Sequence, residues 1–573
     1  MRIFVSIAVA AVLAGCAPDV PRPEPATLVL RNGVVATLEP AAPIAEAVAI
    51  RGDVIAMVGT DRDVERLIGP DTEVIDLAGQ FAMPGFIEGH GHLMNLGQSK
   101  TTLDLTGAAS WNDIVRMVGD AAATAAPGTW ILGRGWHQEK WNARPVPGVE
   151  GFPVHDALST AAPGHPVLLT HASGHAAIVN ARAMELAGIT STTPNPPGGD
   201  ILKDGSGRPT GLLRETAAGL AQSAYQLWVD TRSDEENRAE RDRRLELAVQ
   251  EALANGVTSF QDAGSDFETI DFFKQALAQG DLGIRLYVMV RDSNDTLRAR
   301  LPSEKALRLG DNRLTVAAIK KTMDGALGSR GAWMLEPYAD LPGHVGLNTI
   351  PVAELEEAAR LALDNGVQLN VHAIGDRANR TVLDVYEAAF RSRPELTDLR
   401  WRIEHAQHLS LTDMPRLAQL GVIASMQAIH ATSDAPFVIE RLGARRARDG
   451  AYVWRTLIQS GAIVSNGTDT PVEPINPIAN FHAAVTRESA NGSPFFPDQR
   501  MTREEALRAA TWNAAFAAKE DDIKGSLTRG KLADVTVLSK DILTVPEDEI
   551  LSTAVTYTIV GGKVVYRGDG DRE

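Results

Sequence analysis

The 573-residue chain carries a formal net charge of −17, with 44% hydrophobic and 23% charged residues. That is an ordinary globular composition, long enough to bury a large core without staples, and its acidity excludes the basic footprint of a nucleic-acid binder. A single cysteine, Cys16, excludes internal disulfides and cysteine-based zinc sites, so a metal centre needs His, Asp, Glu or a modified Lys. At roughly 100–200 residues per domain the length allows several domains, but one large α/β barrel can absorb most of it.

The chain opens with Arg2 and an apolar run from Ile3 to Ala14, broken only by Ser6. The run is too short to span a bilayer and fits the apolar region of a signal peptide, residues 1–15. It ends Leu13-Ala14-Gly15-Cys16, which resembles a bacterial lipobox. The resemblance implies lipidation of Cys16, with each buried CH₂ of an acyl chain contributing about 0.8 kcal/mol of membrane affinity. Residues 16–26 then read as the lipidated cysteine and a stiff tether, with four prolines between Pro18 and Pro25. The expectation is a bacterial cell-envelope enzyme anchored in the membrane by lipid. Ala17 favours the outer membrane, periplasmic side, over the inner.

Residues 27–82 alternate short apolar runs with Gly and Asp turns, such as Leu28-Val29-Leu30 and Val54-Ile55-Ala56-Met57-Val58. They predict a string of β-strands. Residues 525–567 repeat the style, with strands at Ala533–Leu538, Val555–Val560 and Lys563–Tyr566. Together these ends predict one small β-sandwich domain built from both termini. Between them, strands are expected at Gly85–Glu88, Thr258–Asp262, Arg285–Val290, Val316–Met323, Gln368–His372, Arg400–Glu404, Val422–Met426 and Ala462–Asn466. Helix-length segments such as Glu236–Asn255, Val352–Asn365 and Ala451–Ser460 separate many of them. The fold class is therefore α/β: a (β/α)8 TIM-like barrel over residues 83–524. Residues 100–232 exceed one crossover and read as an insertion rich in Gly, Pro, His and Trp.

The strongest chemical signal is Met83-Pro84-Gly85-Phe86-Ile87-Glu88-Gly89-His90-Gly91-His92. Side chains alternate along a strand, so His90 and His92 share a face and can reach one metal ion. Four further residues fall at or near the ends of predicted strands, where barrel chemistry sits: Lys320, His372, His405 and Asp469. Each alone has a structural reading, a satisfied core histidine or an ion-paired lysine. Their alignment at one barrel mouth favours a metal site.

These residues lie in motifs that resemble the amidohydrolase superfamily, and within it the amidohydrolase-3 group of deformylase-like and YtcJ-like proteins. The motifs are Pro-Gly-Phe-Ile-Glu-Gly-His-Gly-His (84–92), Ser-Gly-His-Ala-Ala-Ile-Val-Asn (173–180), Gly-Leu-Leu-Arg-Glu (211–215), Asp-Gly-Ala-Leu-Gly-Ser-Arg (324–330), His-Ala-Ile-Gly-Asp-Arg-Ala (372–378), Ile-Glu-His-Ala-Gln-His (403–408) and Gly-Thr-Asp-Thr-Pro-Val (467–472). The resemblance implies one or two divalent metals, zinc first among them. His90, His92 and Asp469 would hold the inner ion, Lys320 would bridge as a carboxylated lysine, and His372 and His405 would hold the outer ion. Lys321 is expected to point to the opposite face of its strand.

The implied activity is hydrolysis of a small molecule's carbon–nitrogen bond, of amide type and with N-formyl or N-acyl substrates in view. A bound metal lowers the pKa of water from 15.7 to about 7 and so supplies hydroxide. Asp469 would act as catalytic base and then acid. Trp136, His137, His171 and His175 lie in motifs typical of the group and are candidate substrate contacts. His175 and Asn180 have an alternative reading as fixing the loop. Arg330 binds a substrate carboxylate or, the favoured reading, pairs with Asp324. Glu404 and Asp376 are read as orienting imidazoles, and His408 and His430 as non-ligands. The alternatives are a deaminase or cyclic-amide hydrolase with a mononuclear site, against which Lys320 argues, a dipeptidase- or carbamate-cleaving enzyme with the same metals, which the sequence does not separate from a deformylase, and a non-catalytic binding lipoprotein, against which six filled ligand positions argue. Relatives are often dimers, so a homodimer is an expectation by analogy.

Overall fold

A computed structural model describes residues 24–568. Cys16, the signal segment and most of the Pro-rich tether lie outside the described residues. Eight strands pair in one parallel sheet in chain order: β1 (Phe86–Gly91), β2 (Val257–Ser265), β3 (Arg285–Val290), β4 (Leu314–Thr322), β5 (Gln368–Ala373), β6 (Arg402–His405), β7 (Ile423–Met426) and β8 (Val464–Asn466). Helices such as Asp234–Ala254, Val352–Asn365 and Asp376–Ser392 cross back between strands, as parallel pairing demands. Their apolar stripes pack on the outward faces of the strands; Leu355, Ala358, Ala359 and Ala362 are buried on one such helix.

The sheet curls into a nearly closed barrel. The seam between β8 and β1 is stitched just past the end of β8, where Asp469 N donates to His90 O at 2.7 Å and His92 N to Thr470 O at 2.8 Å. Two glycines allow this approach. A Cβ on Gly89 would sit 2.5 Å from Asn466 O, and one on Gly467 would sit 2.4 Å from Glu88 Oε1.

Two mixed sheets join the chain ends. One runs Val54–Gly59, Ala47–Arg51, Leu28–Arg31, Glu73–Asp76; the other runs Lys563–Arg567, Val555–Val560, Val535–Leu538, Phe81–Pro84, Val34–Ala36, Ile44–Ala45. Leu30, Val48 and Ile50 of the first share a buried cluster with Val535, Val537 and Ile559 of the second. The barrel is tied to this sandwich by a buried bidentate pair, Arg285 Nε to Asp534 Oδ2 at 2.6 Å and Nη2 to Oδ1 at 2.9 Å.

Between Leu93–Ser99 and Asp234–Ala254 the chain leaves the barrel. It builds a six-stranded sheet in the order Gly199–Lys203, Pro209–Glu215, Ala176–Val179, Val167–His171, Ile131–Trp136, Leu103–Asp104. The ends of its strands reach over the mouth of the barrel.

The expected barrel strands are all present, with ends displaced by a few residues. Arg400 was expected within a strand, but its φ of 50° lies outside the β region, and its Nη1 is held by Asp521 at 2.6 Å and Phe516 O at 2.9 Å. The expected helix Ala451–Ser460 shortens to Trp454–Gln459.

Candidate metal centre

Register decides which side chains enter the barrel. Across β4, β5 and β6, Lys320 pairs with Asn370, Thr322 with His372, and His372 with Glu404. Paired residues of parallel strands share a face, so Lys320, His372 and Glu404 all point inward. Lys321 points outward, as expected, and its Nζ reaches Asp292 O at 3.0 Å and Glu354 Oε1 at 3.4 Å.

His405 follows Glu404, so alternation alone would send it out. Its backbone turns left-handed instead, φ 78°, and the ring lies over the mouth. Asp469 also takes a positive φ, 58°, just beyond β8. Such conformations carry strain in residues other than glycine, and strain of this kind collects at functional sites.

The expected ligands converge. His90 Nε2 and His92 Nε2 lie 3.6 and 3.3 Å from Asp469 Oδ1, and Lys320 Nζ lies 3.4 Å from His90 Nε2. The His405 ring centroid is 4.6 Å from that of His90 and 4.4 Å from that of His372. His90, His92 and Asp469 each offer a donor atom within 4.8 Å of the others, and His405, His430 and Asp469 form a second such group. His372 Nε2 is buried and makes no hydrogen bond; the Asp324 carboxylate stands 3.5 Å away. Nitrogen and carboxylate donors at this spacing fit a divalent cation.

Protonation follows from burial. Burial, with Lys320 adding to it, pushes His90 down to about 4, so the ring is neutral at pH 7. It donates from Nδ1 to Glu404 Oε2 at 2.5 Å and keeps its Nε2 lone pair for the centre. Burial opposes ionisation of Glu404, but His90, Arg402 and Lys320 outweigh it and hold the carboxyl at about 2. Burial likewise lowers His372 and His405, and pushes Lys320 down to about 8. Asp469 is lowered despite its burial by the hydrogen bond from His92 and the charges of His90 and His405. His90, His372 and His405 are thereby neutral imidazoles beside an ionised carboxylate, the form that binds metal.

A cavity of about 520 Å³, counted with its open mouth, lies above this centre. Of the expected substrate contacts, His137 and His175 line it. Trp136, His171 and Arg330 do not. Trp136 is buried, donates to Leu169 O at 3.0 Å and stacks on Trp141. His171 spends both nitrogens inside the inserted sheet, on Ser173 Oγ and Gln138 Oε1. Arg330 pairs with Asp340 at 2.8 Å and Glu150 O at 3.2 Å rather than with Asp324. Asp324 accepts backbone N–H bonds from Trp333, Ile374 and Gly375. Glu404 orients an imidazole as expected. Asp376 does not: it accepts from Leu335 N at 2.7 Å.

Four residues escaped the sequence reading. Glu215 holds His175 Nδ1 at 2.7 Å. Gln427 holds His405 Nδ1 at 2.8 Å. Asp262 accepts from Leu93 N and Ser265 Oγ beside the centre. Glu88 braces the seam, accepting from Thr468 N and Oγ1 at 2.7 Å. Glu88 and Glu215 stand in motifs already quoted. Gln427 and Asp262 stand outside those motifs, though Asp262 ends the expected strand Thr258–Asp262 and Gln427 directly follows Val422–Met426, the same strand-end placement that marked the other candidates. His430 faces the cavity, its Nε2 4.0 Å from Asp469 Oδ2.

A family model described as "Amidohydrolase family" matches residues 73–566. The chain is 33% identical over 554 residues to Protein LONG AFTER FAR-RED 3 of Arabidopsis thaliana, covering 94% of this chain and 92% of that one. It is 30% identical over 561 residues to an N-substituted formamide deformylase of Arthrobacter pascens, covering 95% and 99%. Among solved structures, an uncharacterized metal-dependent hydrolase from Pyrococcus horikoshii superposes with a TM-score of 0.72 at 26% identity, over 91% of this chain and 99% of that one.

Proposed function

The chain belongs to the amidohydrolase family and is a metal-dependent hydrolase of carbon–nitrogen bonds in small molecules, and from that premise we propose that it cleaves N-formyl or N-acyl amides at a zinc centre that a carboxylated Lys320 would help to hold. The observation that carries this reading is the convergence of His90, His92 and Asp469, with Lys320, His372 and His405, at the C-terminal mouth of the barrel. The similarity to a formamide deformylase supports the substrate class.

His90, His92 and Asp469 would hold one ion, with Lys320, His372 and His405 available to a second. Zinc suits imidazole and carboxylate donors. When bound, the metal supplies Lewis acidity and lowers the pKa of water to about 7. Lys320 suits carboxylation because burial favours its neutral amine, the form that reacts with CO₂.

The protein's own groups do the rest. Asp469 takes the proton from the attacking water as its oxygen bonds to the carbonyl carbon. It then returns a proton to the nitrogen as the C–N bond breaks, leaving an acid and an amine. Burial disfavours a charged His175, but Glu215 outweighs it and raises the pKa. Its Nε2–H is thereby available to the carbonyl oxygen. Residues of the inserted sheet cover the mouth and limit water around the reacting amide. The same reading extends to Cys16 as a lipid anchor in a bacterial envelope membrane, supported by the Leu13-Ala14-Gly15-Cys16 run.

The test is elemental analysis of the purified enzyme alongside hydrolysis of N-formyl and N-acyl amines. About two zinc ions per chain, with amine release that depends on them, is the expected result. About one ion would favour a mononuclear deaminase or cyclic-amide hydrolase. Absence of both metal and turnover after reconstitution with zinc and bicarbonate would overturn the reading.

A further inference from the structure

The cavity has an outer half that the hydrolytic chemistry does not use. Asp434, on the helix Ala428–Leu442, and Glu473, in the loop after β8, both line it. Asp434 is held by one oxygen, Oδ2, which accepts from the Tyr452 hydroxyl at 2.5 Å. Glu473 has a single ionic contact among the described residues, Lys140 at 4.0 Å. Lys140 stands at the rim, 43% exposed at its side chain, and gives its closest bond to Ser433 Oγ at 2.7 Å. One solvated lysine therefore faces two carboxylates.

Burial raises the Asp434 pKa first, and the nearby Glu473 charge adds to it against His430, Tyr452 and Lys140. Under-compensated charge of this kind is relieved by a ligand cation.

A second observation points to a ligand in the same space. His430 is 6% exposed, and its Nδ1 is bonded to Gln407 Nε2 at 3.0 Å. Its Nε2, in the cavity wall near Asp469, makes no hydrogen bond. His430 could join His405 and Asp469 on a metal, but the proposed ligand set does not use it, and a buried polar atom is rarely left so unless something binds there. Between this inner polar point and the outer carboxylates the walls are apolar, with Phe437, Leu327 and Val472.

We propose that Asp434 and Glu473 form a cation subsite, and that the preferred substrates are amides carrying an ammonium or amidinium group across a short apolar spacer from the scissile bond. The amide then lies by Asp469 and His430, the spacer against Phe437, and the cation between the two carboxylates. This deepens the hydrolase reading and rests on it for the word substrate. The subsite itself is tested by binding alone.

The probes are benzylammonium and its neutral counterpart benzyl alcohol, titrated calorimetrically into the metal-loaded enzyme at neutral pH. Benzylammonium is expected to bind at least about tenfold more tightly than the alcohol. Asp434→Asn keeps an acceptor for Tyr452 and should reduce that preference to about twofold, leaving alcohol binding unchanged. Glu473→Gln, at the rim, should reduce it by a smaller factor and serves if Asp434→Asn does not fold. Equal binding of the two probes, binding of neither, or a preference untouched by both substitutions overturns the subsite. Cation binding without hydrolysis of any N-formyl or N-acyl diamine would instead overturn the hydrolase reading and leave the subsite standing.

Discussion

Asp469 meets three demands at once: it faces two imidazoles, it is ionised despite burial, and it is held in a left-handed turn. Asp469→Asn keeps the shape and removes the proton acceptor. We expect kcat to fall by about 10²–10⁴-fold with an unchanged circular-dichroism spectrum. Near wild-type kcat in that variant would remove Asp469 from its role. Glu404→Gln loses the ionised partner of His90 Nδ1, and metal affinity should fall about 10–100-fold by competition with a chelator. An unchanged affinity would reduce Glu404 to packing. Some of this was legible in the sequence. His-x-His at a strand end declares itself through the period of two, and Lys320 and His372 through their place at strand ends. Arg330 misled because its partner, Asp340, lies in a loop whose course only the tertiary structure fixes. Gln427 supports His405 from just past the next strand; its place after the expected strand Val422–Met426 was the one signal, and nothing there names His405 as its partner.

The barrel's elements are held in register by contacts that cross between layers. Arg285 on β3 and Asp534 beside the sandwich strand Val535–Leu538 are both buried, at 2% and 5% exposure. Removing one partner strands the other charge, so Asp534→Ala should lower unfolding stability by about 3–5 kcal/mol in denaturant titrations. Replacing both by apolar residues of similar volume should recover most of the loss; no recovery would mean that the pair itself specifies the docking of the layers. The seam between β1 and β8 makes a second demand. In Gly467→Ala the added methyl meets Glu88 Oε1 and His90 N at 2.4 and 2.5 Å. Overpacking of that kind costs about 1–3 kcal/mol, and here it should also lower metal content, because Glu88 and His90 share the strand. Apolar runs revealed these strands in the sequence, since parallel strands are buried on both faces. The pairing of Phe81–Pro84 with Val535–Leu538, more than 450 residues apart, had no local signature. The strand ends were missed where the backbone leaves the β region, as at Arg400.

At the scale of the whole molecule, the proposed anchor and the metal centre are separable. The residues proposed to hold the metal all lie between His90 and Asp469, and no helix among the described residues is long and apolar enough to cross a membrane. The anchoring proposal therefore rests on Cys16, eight positions before Glu24, the first described residue. Fully extended, eight residues span at most about 25–30 Å. An enzyme anchored at Cys16 would therefore stand close to the membrane surface without contributing its fold to the anchor. Two or three acyl chains hold a protein firmly, and one holds it only marginally. Cys16→Ser should thus move the enzyme from the membrane pellet to the soluble fraction while kcat/KM and metal content stay unchanged. Retention in the pellet would require a different attachment. Release together with a loss of kcat/KM would mean that the membrane shapes the mouth of the cavity, which a tether of this length permits only if the mouth faces the lipid.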